Sequence, residues 1–136
     1  MHLTIYTDGG SLNNPGEAAS AFVIYHDGKV LHQEGKRLGI ATNNEAEYTA
    51  MVLALEKVIE LQKHGMIVSK LSVFSDSALM VNQLNGLFKV TKAHIREFIM
   101  KIRILEQEVG IPVSYTHVLR EKNQLADSLV KKALGR

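Results

Sequence analysis

The sequence predicts an α/β fold, a mixed five-stranded sheet flanked by helices in the order βββ-α-β-α-α-β-α. Three observations carry this prediction. Strand-like runs at 20–26 and 29–34 flank Asp27-Gly28, a hairpin signal because both central positions of a type I′ turn need positive φ. A helical pattern from about Asn43 to His64 follows, giving a right-handed crossover that allows parallel pairing. A short strand-like run, Leu71-Ser72-Val73-Phe74-Ser75, lies beyond that crossover.

The elements follow in order. Residues 3–7 alternate and run into Asp8-Gly9-Gly10, read as a strand ending in a turn. Asn13-Asn14-Pro15-Gly16 is a loop dense in turn formers. The third strand fades near Leu38. In the long helix, Glu45, Glu56, Glu60, Lys63 and His64 share a polar face, while Tyr48, Met51, Val52, Leu55, Val58 and Ile59 share the apolar one. Gly65 stops it. The 71–75 strand ends at Asp76, and a short helix runs on to about Leu84, closed by Asn85-Gly86. A third helix covers roughly Lys92–Val109 and stops at Gly110; Pro112 opens a strand to about His117, and a last helix covers Asn123–Leu134.

The 136 residues suit one domain, 1–136. An apolar share of 46% and a charged share of 22% are ordinary for a globular chain. With no cysteine, disulfides and thiolate metal sites are excluded, which fits a reducing cytoplasm. The opening residues do not read as an export signal, so a cytoplasmic protein is expected. No apolar run approaches the ~18–20 residues of a membrane span, so no membrane partner is expected. A net charge of +2 shows no bulk basic footprint.

Chemistry enters through carboxylates. Asp8 and Asp76 each follow the last residue of a strand; if those strands pair in parallel, both emerge at the carboxyl edge of the sheet, where α/β proteins place ligands. Glu47 sits in the first turn of the long helix but projects onto its apolar side, in line with Met51, Ala54 and Val58. A carboxylate there is costly unless a cation meets it. Asp127 lies at the edge of the last helix's apolar arc, where a surface ion pair explains it equally well. The histidines are scattered, so zinc is not expected. Carboxylates without soft ligands suit Mg²⁺ or Mn²⁺, and two such ions clamping the attacking and leaving oxygens is an arrangement for phosphoryl hydrolysis.

Four segments resemble type 1 ribonuclease H in order and spacing: Tyr6-Thr7-Asp8-Gly9-Gly10-Ser11 with Asn14-Pro15-Gly16; Thr42-Asn43-Asn44-Glu45-Ala46-Glu47-Tyr48; Phe74-Ser75-Asp76-Ser77; and Arg120-Glu121-Lys122-Asn123-Gln124-Leu125-Ala126-Asp127. The resemblance covers residues 1–134, and the element order agrees with a ribonuclease H-like fold. It implies a magnesium-dependent endonuclease, two ions per site, that hydrolyses the RNA strand of an RNA–DNA hybrid and leaves a 5′-phosphate and a 3′-hydroxyl. Asp8 would bridge both ions, Asp127 complete one side, and Glu47 with Asp76 the other. Glu47 would also meet a ribose 2′-hydroxyl, the group that tells RNA from DNA. Asn14, Asn43 and Asn44 resemble groove and backbone contacts, and Thr42 a hydroxyl for a DNA phosphate, beside its plain reading as a helix N-cap. Lys89, Lys92, Arg96, Lys101 and Arg103 cluster after Gly86, the last two fitting a solvated helix face better.

The chain departs from many members of that family in three respects. Ala78 stands where many carry Gln, Asn13 replaces a frequent Gly, and the stretch from Gly86 to Lys92 is too short for the basic, Trp-bearing handle. No separate hybrid-binding domain is expected. His117 reads as a strand end, leaving Arg120 in the loop before Asp127, as in the family's shorter form. A monomer is assumed. The competing expectation is a catalytically weak or inactive module of this fold that binds nucleic acid or a protein partner.

Overall fold

A computed structural model describes residues 1–136. Three strands, β1 (His2–Ser11), β2 (Gly16–His26) and β3 (Lys29–Ala41), form an antiparallel meander. Asp27 and Gly28 both adopt positive φ, 52° and 76°, as the Asp-Gly turn requires. Then come α1 (Asn43–Lys63), β4 (Lys70–Ser75), α2 (Ala78–Leu84), α3 (Ala93–Val109), β5 (Val113–His117), a 3₁₀ turn (Arg120–Lys122) and α4 (Gln124–Ala133). The sheet order is β3-β2-β1-β4-β5, with β4 parallel to both β1 and β5. No helix is long and apolar enough to cross a membrane.

Every predicted element is present, but two strands run further than their side-chain patterns suggest. β3 continues to Ala41 as a largely exposed edge strand, held by backbone pairing to β2 rather than by burial. β1 does not end before Asp8: it passes through Gly9 and Gly10 to Ser11, paired with β2 up to Ser11↔Ala18. Asp8 therefore lies inside a strand, opposite Ala21. What ends at Asp8 is the parallel ladder, whose last register is Thr7↔Ser75. The 3₁₀ turn has no counterpart in the sequence reading.

The main core fills the space between the sheet and α1 with α3. All six apolar-face residues of α1, Tyr48, Met51, Val52, Leu55, Val58 and Ile59, are buried there. A smaller core of Ala19, Ala21 and Val130 lies under α4 on the opposite face. Helices on both faces thus leave the end of the parallel β1–β4 ladder open between the start of α1 and the start of α4, and the carboxylates occupy that opening.

Candidate active site

The parallel β1–β4 pair brings Asp8 and Asp76 side by side, one residue past the last shared register. The third carboxylate comes down from α1, whose start is fixed from several directions. Thr42 caps the helix: its hydroxyl accepts from Glu45 N at 3.1 Å, and its own N–H donates to Glu45 Oε1 at 2.9 Å, closing a capping box. That contact holds the Glu45 carboxyl below its usual range. The buried Ser20 hydroxyl donates to Ala46 O at 2.6 Å, tying β2 to the same turn. β1 passes so close that a Cβ on Gly9 would lie 2.3 Å from Ala46 C; the glycine is required by this approach, not by its φ.

Glu47 consequently points inward, 8% exposed against 6% for Asp8. One oxygen from each of Asp8, Glu47 and Asp76 lies within 4.8 Å of the others. Burial, then the charges of Asp76 and Asp127, push the Asp8 carboxyl up to about 7, against the opposing influence of the Gly9 backbone and Arg120. Burial, followed by Asp8 and Asp76, raises Glu47 well above its usual range. Glu47 Oε1 is buried with no hydrogen-bond partner. A buried anion left unpaired is costly, and three converging carboxylates with no histidine or thiol among them form a hard-oxygen donor set. The residues fit a divalent cation.

A carboxyl whose folded pKa lies above its unfolded value favours the protonated form on folding. The penalty is absent below about pH 4, grows as pH rises, and is complete above about 7. Metal-free protein should therefore lose on the order of 2–4 kcal/mol between those limits from Asp8, and Mn²⁺ should restore more thermal stability at pH 8 than at pH 5. Melting curves with chelator or Mn²⁺ at both pH values check this; equal Mn²⁺ gains at the two would count against the carboxylate set as a cation site.

Asp127 shares the cleft but not the cluster. It lies in the first turn of α4, with Oδ2 3.0 Å from Lys131 Nζ. The cleft, about 490 Å³, is lined by Asp8, Glu47, Asp76 and Asp127 together with Asn14, Asn43, Asn44 and Arg120. Thr42 is not part of that lining and serves as the cap described above. Asn14 Oδ1 accepts from Asn43 N at 3.0 Å, and Asn43 Oδ1 accepts from Ser11 N at 2.8 Å. Both side-chain oxygens are thereby occupied in joining the 11–16 loop to α1, while the amide nitrogens face no protein acceptor. Arg120 sits in the 3₁₀ turn, and His117 is the last residue of β5, paired with Ser75. Ala78 is the exposed first residue of α2. Lys89 and Lys92 line a shallow groove that adjoins the cleft through Asn44 and Leu79. Lys101 is exposed, and Arg103 pairs with Glu106 at 3.0 Å.

Three residues of the site escape a sequence reading. Asn123, 1% exposed, donates from Nδ2 to Thr7 O at 2.8 Å and, at 3.4 Å, to Asp76 Oδ2, tying the start of α4 to the end of the β1–β4 parallel ladder. The sequence offers only its place at the start of the last predicted helix and within the 120–127 segment, neither of which points to the Thr7 or Asp76 contact. Lys131 and Arg136 also line the cleft; only the spacing of Lys131 from Asp127, one helical turn, was legible beforehand.

Strand order and a carboxylate cleft at the junction of antiparallel and parallel strands define a protein of the ribonuclease H-like class. Known proteins agree. A family model described as "Reverse transcriptase-like" matches residues 6–133. The structure of LC11-RNase H1 in complex with an RNA/DNA hybrid, a protein isolated from compost, is 38% identical, with 98% of this chain and 96% of that one covered and a TM-score of 0.90. RNase H1 from Halobacterium salinarum is 34% identical, with 99% and 98% covered and a TM-score of 0.89. The chain belongs to the type 1 ribonuclease H family. Among curated relatives, the ribonuclease HI of Halobacterium salinarum is 35% identical over 131 residues, 95% of this chain and 62% of that protein. A Bacillus subtilis relative, 33% identical, is covered over 59% of its length. The chain thus spans about three-fifths of these two curated relatives.

Proposed function

We propose that this chain is an endonuclease that hydrolyses the RNA strand of RNA–DNA hybrids with divalent metal ions, magnesium or manganese, leaving a 5′-phosphate and a 3′-hydroxyl. The observation that carries the reading is the convergence of Asp8, Glu47 and Asp76 around a buried carboxylate oxygen with no partner. Glu47 and Asp76 would hold one ion and Asp127 a second, with Asp8 shared between them. When bound, such ions stabilise charge on the attacking and leaving oxygens of an in-line displacement.

The chain's own share is positioning and charge. The free amide nitrogens of Asn14 and Asn43, with Asn44 beside them on the cleft wall, suit acceptors on base edges and sugars in a minor groove. Arg120 supplies a cation at the cleft for a phosphate. Thr42, whose oxygen accepts from Glu45 N, keeps a hydroxyl proton that it can donate to a phosphate of the DNA strand. Lys89 and Lys92 extend the basic character along the adjoining groove. A relative solved with an RNA/DNA hybrid, matched over 96% of its chain, supports the choice of substrate.

The test is a Mg²⁺ series with end-labelled RNA–DNA hybrid, DNA duplex and RNA duplex. Only the RNA strand of the hybrid should be cut, with no cutting in chelator. Cleavage of the DNA duplex, or metal-independent cleavage, would overturn the assignment, and hybrid binding without cleavage would favour a non-catalytic module.

A further inference from the structure

Asp127 stands apart from the other three carboxylates. Asp8, Glu47 and Asp76 form a converging group that it does not join, although all four line one cleft. Its Oδ2 is instead 3.0 Å from Nζ of Lys131, and no other cation lies within ion-pair distance. The two sides of the site are therefore neutralised differently. On one, Glu47 Oε1 is buried with no partner; on the other, Asp127 already has a counter-ion supplied by the chain itself.

We propose that Lys131 is the resting counter-ion of Asp127, and that a divalent ion occupies the Asp8–Asp127 side only by displacing it. This inference rests on the metal-dependent reading above and deepens it by making the two ions unequal. The ion held by Asp8, Glu47 and Asp76 enters a group of carboxylates none of which has an ammonium or guanidinium in ion-pair contact, Arg120 easing Asp8 and Glu47 only through its field. The other competes with an ammonium already in contact with its ligand. The helix holds the lysine there: an acid four residues before a lysine is the favourable orientation of an i,i+4 pair. The side chains are 28% and 56% exposed, so solvent screens the pair and the competition is a several-fold effect rather than a block. Lys131 is thus a positioning residue, acting through Asp127 and not on the reacting atoms.

The test is Mn²⁺ binding to the full chain without substrate, followed by calorimetry and by the electron paramagnetic resonance signal of free Mn²⁺. It compares the parent with Lys131→Gln, Lys131→Arg and Lys132→Gln. Lys132 is exposed, carries the same charge and makes no ion pair, so its loss reports general electrostatics. The parent should bind one ion tightly and a second more weakly. Lys131→Gln should tighten the second by about twofold to fivefold and leave the first unchanged, a range set by the modest strength of an exposed pair. Lys131→Arg and Lys132→Gln should follow the parent. An unchanged isotherm for Lys131→Gln overturns the proposal, as does an equal shift in Lys132→Gln. A parent that binds no Mn²⁺ removes the metal-dependent reading itself, and this inference with it.

Discussion

Asp8→Asn is expected to lower hybrid cleavage by at least about 1,000-fold, equivalent to about 4 kcal/mol of transition-state stabilisation, while making the metal-free protein more stable. Both effects come from one feature. Asp8 is nearly buried, held in register opposite Ala21, and faces Asp76 and Asp127, whose charges with burial push its carboxyl up to about 7. Asparagine keeps the shape and removes the charge. Glu47, itself raised by Asp8 and Asp76, is then relieved of one neighbour. In chelator at pH 8 the melting temperature should rise by about 5 °C or more, taking 2 kcal/mol as a modest share of the burial cost. Hybrid binding should stay level or tighten, because a negative charge near phosphate has gone. Single-turnover cleavage, a binding isotherm in chelator and a melting curve measure the three effects. A variant that cuts at near the parent rate removes Asp8 from the chemistry; one that cuts poorly and melts lower than the parent means that lost packing, not lost charge, explains its defect.

The same residues show how far a sequence can be read. Glu47 was legible because a helix has a fixed period: a carboxylate in line with Met51, Ala54 and Val58 must point where those residues point, and it does. Asp76 was legible as a strand end. Asp8 was placed at the right edge for a partly wrong reason, since of the Gly9-Gly10 turn signal Gly9 marks a close approach of α1 to β1 and neither marks the end of the strand. Whether a glycine marks a turn or a contact depends on what packs above it, which is tertiary information. Asn123 reaches Thr7 O across 116 residues, and no local pattern encodes that distance. The full length of β3 was hidden because an edge strand exposed along most of its length has no burial period to display. Local periods therefore locate elements and faces, while the groups that tie elements together emerge only from the fold.

Gly9→Ala should be the most damaging single-methyl change at the site. The added carbon would lie 2.3 Å from Ala46 C, 2.4 Å from Ala46 O and 2.5 Å from Glu47 N. These are backbone atoms of the first turn of α1, so no side-chain rotation can relieve the overlap; the helix start and β1 must move apart. That movement acts on the Ser20 bond to Ala46 O and on the aim of Glu47 together. Overpacking of this kind costs about 1–3 kcal/mol, occasionally more, and a buried hydrogen bond left unmade adds about 1–3 kcal/mol. A loss of about 3 kcal/mol or more is expected, with melting lowered by about 10 °C. Displacing Glu47 by about 1 Å should also lower cleavage on the order of 100-fold in protein that remains folded. Gly10→Ala is the internal control, since its new carbon would meet nothing closer than 3.9 Å, at Asn43 Oδ1 and Val130 Cγ1, and should shift stability by less than about 1 kcal/mol. Denaturant titrations of both variants, with cleavage measured well below each midpoint, separate the effects. If Gly9→Ala melts within a degree or two of Gly10→Ala, the close approach of β1 to α1 does not constrain the site, and Glu47 owes its inward aim to the capping box and Ser20 alone.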